Sequence, residues 1–176
     1  VLASVMFVKR MADLELESLQ VITGSSKETP LSLEEQRILN RHSDRIIMIH
    51  VNGPMSFGSP KDMIRRLESI KGFNHFSCVV LDLTDVPSID GTAALAIEDM
   101  LVMVKDHRQH LVFVGMRPDV ARVLKGLGVL DQVEPGDRYA LRLDGLRHAA
   151  RICGSTHPSD VLSGVSLSSA PGGNHA

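Results

Sequence analysis

The sequence predicts an α/β fold, a mixed, largely parallel sheet with helices packed against it. Three observations point there. Short apolar runs rich in Val and Ile alternate with longer stretches of helical periodicity. Loops of Ser, Asp, Gly and Pro separate them, with capping residues before the helical stretches and Gly after several of them. Strand–helix alternation in the later part favours parallel pairing, with right-handed crossovers laying helices over the sheet.

Residues 1–17 fit one helix with Glu15 and Glu17 at its polar end, and Leu19-Gln20-Val21-Ile22 a short first strand. Residues 24–30 carry turn and linker chemistry. A short helix follows over 31–39, with Ser32 as cap and Glu35 three residues on, the capping-box spacing. The segment 18–41 thus reads as a linker, first strand and short helix inserted ahead of the domain proper, 42–153. A strand over 45–51 ends at Asn52-Gly53-Pro54. Ser59 caps the next helix and Pro60 takes its first position, where a missing N–H costs nothing. Met63, Ile64, Leu67 and Ile70 form its buried stripe, and Gly72 stops it.

Residues 78–83 form the central strand, apolar enough to be covered on both faces. Asp90 stands where an N-cap belongs, ahead of a helix over 91–106. A strand over 111–114 is closed by Gly115. Pro118 opens a helix with Val120, Val123, Leu124 and Leu127 inward and Gly128 as its stop. The last helix runs from a cap at Asp144 through Leu146, Ala149 and Ala150 to Cys153. Residues 154–176 are rich in Ser, Gly and Pro without periodicity and read as a disordered tail.

A charged fraction of 23% and a hydrophobic fraction of 43% over 176 residues fit one globular domain. A net charge of -2 and a single Tyr with no Trp argue against a nucleic-acid partner. Cys78 and Cys153 have no disulfide-framework or metal-pair spacing and read as reduced packing residues. No stretch reaches the ~20 apolar residues that span a bilayer. Yet residues 1–8 are nearly all apolar and end at Lys9-Arg10, and the first residue is Val, not Met. A signal peptide carries its charge before the apolar run, not after it. The expectation is the last two turns of a membrane helix, with Lys9 and Arg10 at the cytoplasmic interface. An ordinary N-terminal helix is the plainer alternative.

The stretch from Val79 to Ala93 contains Asp82-Leu83-Thr84-Asp85-Val86 and then Ile89-Asp90-Gly91-Thr92-Ala93. This strand, loop and helix start resembles the signature of STAS domains, found at the cytoplasmic ends of SulP-type anion transporters and in anti-anti-sigma factors. Residues 44–58, Asp44-Arg45-Ile46-Ile47-Met48-Ile49-His50-Val51-Asn52-Gly53-Pro54-Met55-Ser56-Phe57-Gly58, are similar to the first conserved block of the transporter branch. Residues 1–12 resemble the exit of a SulP transporter's last membrane helix, and their end, with Asp13, is nearest to the cyanobacterial bicarbonate carriers of that family.

The resemblance implies the C-terminal cytoplasmic domain of a secondary anion transporter for bicarbonate or sulfate, coupled to Na⁺ or H⁺. Its partners would be the membrane domain of the same polypeptide and a second copy, at the cytoplasmic face of the inner membrane. The transported anion would bind elsewhere, and the domain's own work would be assembly, trafficking or regulation. The alternative is a soluble partner-switching regulator of the anti-anti-sigma type. A third reading is an unrelated α/β binding domain whose ligand sits at residues 84–92.

The loop with Asp85, Asp90, Gly91 and Thr92 lies between a strand's carboxyl end and a helix's amino end, where anions and phosphates are favoured. A capped βα turn without chemistry is the bland reading. In the anti-anti-sigma branch the residue after the loop Asp is a phosphorylated Ser. Here it is Gly91, which has no hydroxyl. Thr92 carries one, but its side chain is expected to point elsewhere, and Asp85 and Asp90 would repel a phosphate. No phosphate-binding glycine motif is present.

On a helical wheel Ala93, Ala94, Ala96, Ile97, Met100, Leu101 and Val104 make the buried stripe of 91–106. Leu95 and Val102 point the opposite way among charged residues and are the candidate partner face. His107 and His110 are three apart, but no third ligand has matching spacing, so solvated histidines rather than a metal are expected. No nucleophile elbow or reactive-cysteine setting is visible, so neither catalytic residues nor a cofactor is expected.

Overall fold

The computed structural model describes residues 19–155, except 25, 27, 28, 57 and 58. The expected helix over 1–17, with Lys9 and Arg10, and the tail from 156 onward lie outside the described residues. In chain order the elements are β1 (Leu19–Ile22), α1 (Leu33–Arg41), β2 (Ile46–Asn52), α2 (Pro60–Glu68), β3 (Cys78–Asp85), α3 (Gly91–Asp106), β4 (His110–Val114), α4 (Pro118–Gly126), β5 (Arg138–Tyr139) and α5 (Arg142–Ser155). The strands lie side by side in sequence order. β1 is antiparallel to β2, and the other pairs are parallel, giving the mixed, largely parallel sheet expected.

This order explains the layers. Each parallel step moves the same way across the sheet, so crossovers of one hand place α2, α3 and α4 on one face. Their buried side chains, among them Met63, Leu67, Ile97, Met100 and Leu124, share a core with Ile47, Ile49, Val79 and Leu81. The opposite face is covered by α1 and α5, with Leu39, Leu146, Ala149 and Cys153 on Ile46, Met48, Val80 and Val112. Each large apolar side chain removed from water contributes about 1.5–3 kcal/mol before chain entropy is counted. The segment read as an insertion therefore supplies an edge strand and a covering helix to the same body.

Local signals set most helix starts. The Ser32 hydroxyl accepts the Glu35 amide at 3.2 Å, and Glu35 Oε2 accepts the Ser32 amide at 2.7 Å. Ser59 and Asp90 cap α2 and α3 as expected. Gly115 (φ 69°) is required where β4 turns away: a Cβ there would lie 2.1 Å from Thr84 Oγ1.

Three details differ from the sequence reading. Leu127 is 51% exposed, because α4 ends at Gly126 and the chain turns. Val129, Leu130 and Val133, beyond that turn, enter the core instead. The last helix starts at Arg142 rather than after Asp144, which lies in its first turn and pairs with Arg147, and it runs on through Gly154. Strand β5 has two residues, Arg and Tyr, too short for an alternating pattern.

Candidate functional site

Two polar clusters occupy the carboxyl end of the sheet. The first is the mouth of α3. Asp90 Oδ1 accepts the Ala93 amide at 2.8 Å and the Thr92 hydroxyl at 2.7 Å, and Oδ2 accepts the Ser56 hydroxyl at 2.6 Å. Burial pushes this carboxyl up, but the donors from Ser56, Thr92 and Ala93 together hold it below the ordinary range. The loop is stitched to the turn after β2 by a parallel bridge between Met55 and Ile89. There the Met55 amide donates to the Ser88 carbonyl at 2.9 Å, and the Asp90 amide to the Met55 carbonyl at 3.2 Å.

Gly91 is exposed, and a side chain there would meet nothing within 4 Å. The mouth has room for a modified residue at 91, but this chain places no hydroxyl there. The Thr92 hydroxyl turns back onto Asp90, because the cap carboxylate offers a charged acceptor within reach.

The second cluster is buried under the start of α5. His50 in β2 and Asp82 in β3 are register partners, with Nδ1 2.8 Å from Oδ2. Asp82 Oδ1 also accepts the Thr84 amide at 3.0 Å and hydroxyl at 2.6 Å. Arg142 Nε donates to Asp82 Oδ2 at 2.6 Å, and its Nη1 to the Pro30 carbonyl at 3.1 Å. Burial pushes the Asp82 carboxyl up, but hydrogen bonds from His50 and Thr84 and the Arg142 charge prevail and hold it low. Asp85 Oδ2 lies 3.4 Å from His50 Nε2, so His50 spans two carboxylates.

The loop acidic residues therefore part company. Asp90 joins Ser56 and Thr92, whereas Asp85 faces His50. The sequence reading missed His50, Asp82 and Arg142. A usable signal was there: a His and an Asp each interrupt an otherwise apolar strand, where a polar side chain needs a partner.

Leu95 and Val102 are 47% and 52% exposed on α3, opposite its buried stripe. Among the described residues no metal-capable group of three contains both His107 and His110. His107 caps α3 with its ring edge-on to Phe73, and His110 opens β4. His110 instead converges with His148 on Asp137. Cys78 and Cys153 are buried free thiols, and burial pushes both thiols up, away from reactivity. Among the described residues no helix is long and apolar enough to cross a membrane.

The sequence profile of the STAS domain matches residues 37–141. The chain belongs to the STAS domain family. Its sequence is 28% identical over 166 residues to the bicarbonate transporter BicA of Synechocystis sp., covering 94% of this chain and 29% of that protein. The chain thus spans under a third of that relative's length. The STAS fold is shared with a sulfate transporter family protein from Wolinella succinogenes (TM-score 0.56, 16% identity, 76% of this chain and 98% of that one). It is also shared with the STAS domain of a SulP transporter from Vibrio cholerae (TM-score 0.51, 21% identity, 60% and 80% covered).

Proposed function

We propose that this STAS domain is the cytoplasmic, non-catalytic part of a SulP-type anion transporter, with bicarbonate as the first candidate cargo and sulfate the second. The observation that carries the reading is the match along 94% of this chain to a fraction of a bicarbonate transporter. Membrane anchoring through the segment ending at Lys9 and Arg10, and coupling to Na⁺ or H⁺, belong to the same proposal. So does placement at the cytoplasmic face of the inner membrane. The domain's own work would be assembly, trafficking or regulation of the permease. Gly91 favours this over a phosphorylation-driven partner switch, since the position that would accept phosphate has no oxygen.

The test uses the whole parent protein. Labelled bicarbonate and sulfate uptake, and membrane abundance, are compared with and without residues 41–153. Loss of abundance or of regulated uptake is expected. Unchanged uptake and abundance would remove the regulatory role, and a parent reading frame without membrane spans would remove the transporter.

The exposed Leu95 and Val102 would form the face toward a second copy. Leu95→Glu with Val102→Glu is expected to weaken self-association in sedimentation while moving stability by no more than about 0.5 kcal/mol, the usual range for surface positions. An unchanged assembly mass would exclude this face.

A further inference from the structure

The amino end of the sheet carries a side-chain cluster that the transporter reading does not use. His110 starts β4, Asp137 precedes β5, and His148 lies in α5. Three separate elements thus deliver two imidazoles to one carboxylate. His110 Nε2 lies 2.7 Å and His148 Nε2 3.0 Å from the same oxygen, Asp137 Oδ1. The ligand-capable atoms of all three residues fall within 4.8 Å of one another. We propose that His110, Asp137 and His148 form a binding site for a divalent transition metal, zinc first, that clamps α5 to the sheet edge.

The donor chemistry selects the metal class. Two neutral imidazole nitrogens and one carboxylate oxygen suit zinc and its first-row neighbours, whereas magnesium and calcium prefer oxygen sets. The distances are those of a site closed on itself by hydrogen bonds. Bonds of about 2.0–2.2 Å at a tetrahedral angle would hold ligand atoms about 3.3–3.6 Å apart, so each contact to Asp137 opens by less than about 1 Å on binding. As ligands both Nε2 atoms must be free of hydrogen, so each imidazole takes the tautomer with its proton on Nδ1. On His148 that nitrogen lies 3.4 Å from Arg151 Nη2, and the exposed Arg151 side chain must swing aside.

The site is partly shielded and still reachable. Asp137 is 14% exposed, His148 23% and His110 42%. His110 and Asp137 also line an open groove with Lys105 and Glu134, which gives the ion a route in. A water would complete four-coordination on the groove side. Tyr139, the chain's one tyrosine, packs at a tilt against His148, 5.2 Å between ring centroids, and limits the movement of the imidazole. Spacing alone hid the set, because the ligands are separated by 27 and 11 residues along the chain.

The test is zinc titration of the 176-residue chain by calorimetry, with melting curves at each ratio. One tight site per chain and a raised melting temperature are expected. His110→Ala, Asp137→Asn and His148→Ala should each weaken zinc binding by more than about tenfold, since even supporting residues are worth 10–100-fold. His107→Ala should change nothing. A second measurement needs no variant: zinc should shift the ring resonances of His110 and His148 in the wild-type protein, and cobalt should give a visible ligand-field band. Zinc binding that survives all three substitutions, or wild-type shifts confined to other histidines, would overturn the assignment, as would no binding at all.

Discussion

Replacing Asp82 with alanine removes the hub of the buried cluster between β2, β3 and α5. The carboxylate is fully buried and accepts from His50, from the Thr84 amide and hydroxyl, and from Arg142. Asp82→Ala strands the buried His50 donor together with the Arg142 charge, whose side chain is only 12% exposed, while the exposed Thr84 turns to water. The Pro30 carbonyl remains to Arg142 at 3.1 Å, but Glu35 is 3.9 Å away, too far to replace the lost ion pair. Each stranded buried donor costs about 1–3 kcal/mol, and breaking one partner of a buried pair about 3–5 kcal/mol. These overlap rather than add, so the expected loss is about 3–5 kcal/mol, a large share of the 5–15 typical of a domain.

Urea unfolding followed by far-ultraviolet circular dichroism at pH 7 measures it. A loss under about 1 kcal/mol, no more than an average substitution, would refute the account of this cluster. The pH dependence has a definite sign. Asp82 is held low in the folded state, so its stabilisation is complete above the unfolded value of about 3.9 and fades as pH falls through the folded value. The gap between wild type and Asp82→Asn should therefore shrink only below about pH 4.

Gly145→Ala is expected to cost about 1–3 kcal/mol in thermal or urea unfolding, because the new methyl would sit 2.2 Å from Val114 Cγ1 and push α5 off the sheet. Val114→Ala in the same chain should recover part of the loss, and an unchanged melting temperature in the single variant would contradict the close approach. Cys78 and Cys153, buried and pushed up by burial, should resist a thiol reagent at pH 8 in native buffer and react promptly in denaturant. Fast native labelling of Cys78 would show that the β3 core opens readily.

What the sequence made legible is what neighbouring residues decide. Ser32 with Glu35, Ser59 with Pro60, and Asp90 each act within one helical turn, so each start could be placed from its own few residues. The stripe of α3 was likewise readable from its period. Leu127 failed because helical spacing was carried one residue past the end of α4, where the backbone no longer follows it. The pairings His50–Asp82–Arg142 and His110–Asp137–His148 depend on strand register and on where α5 lands. No local pattern carries that information. Asp85 and Asp90 show the same limit: five residues apart, they serve different partners.

The closing helix α5 is tethered at three heights. Arg142 is tied to Asp82 at its start, His148 to Asp137 midway, and the Arg45 guanidinium to the Cys153 carbonyl at 2.5 Å near its end. A helix laid over the outside of a sheet commonly opens and exchanges its amide protons before the core does. With fasteners spread along its length, this one should instead hold its deuterium uptake down to the level of the central strands. A pull on its far end would then be felt by the whole sheet as a single lever arm.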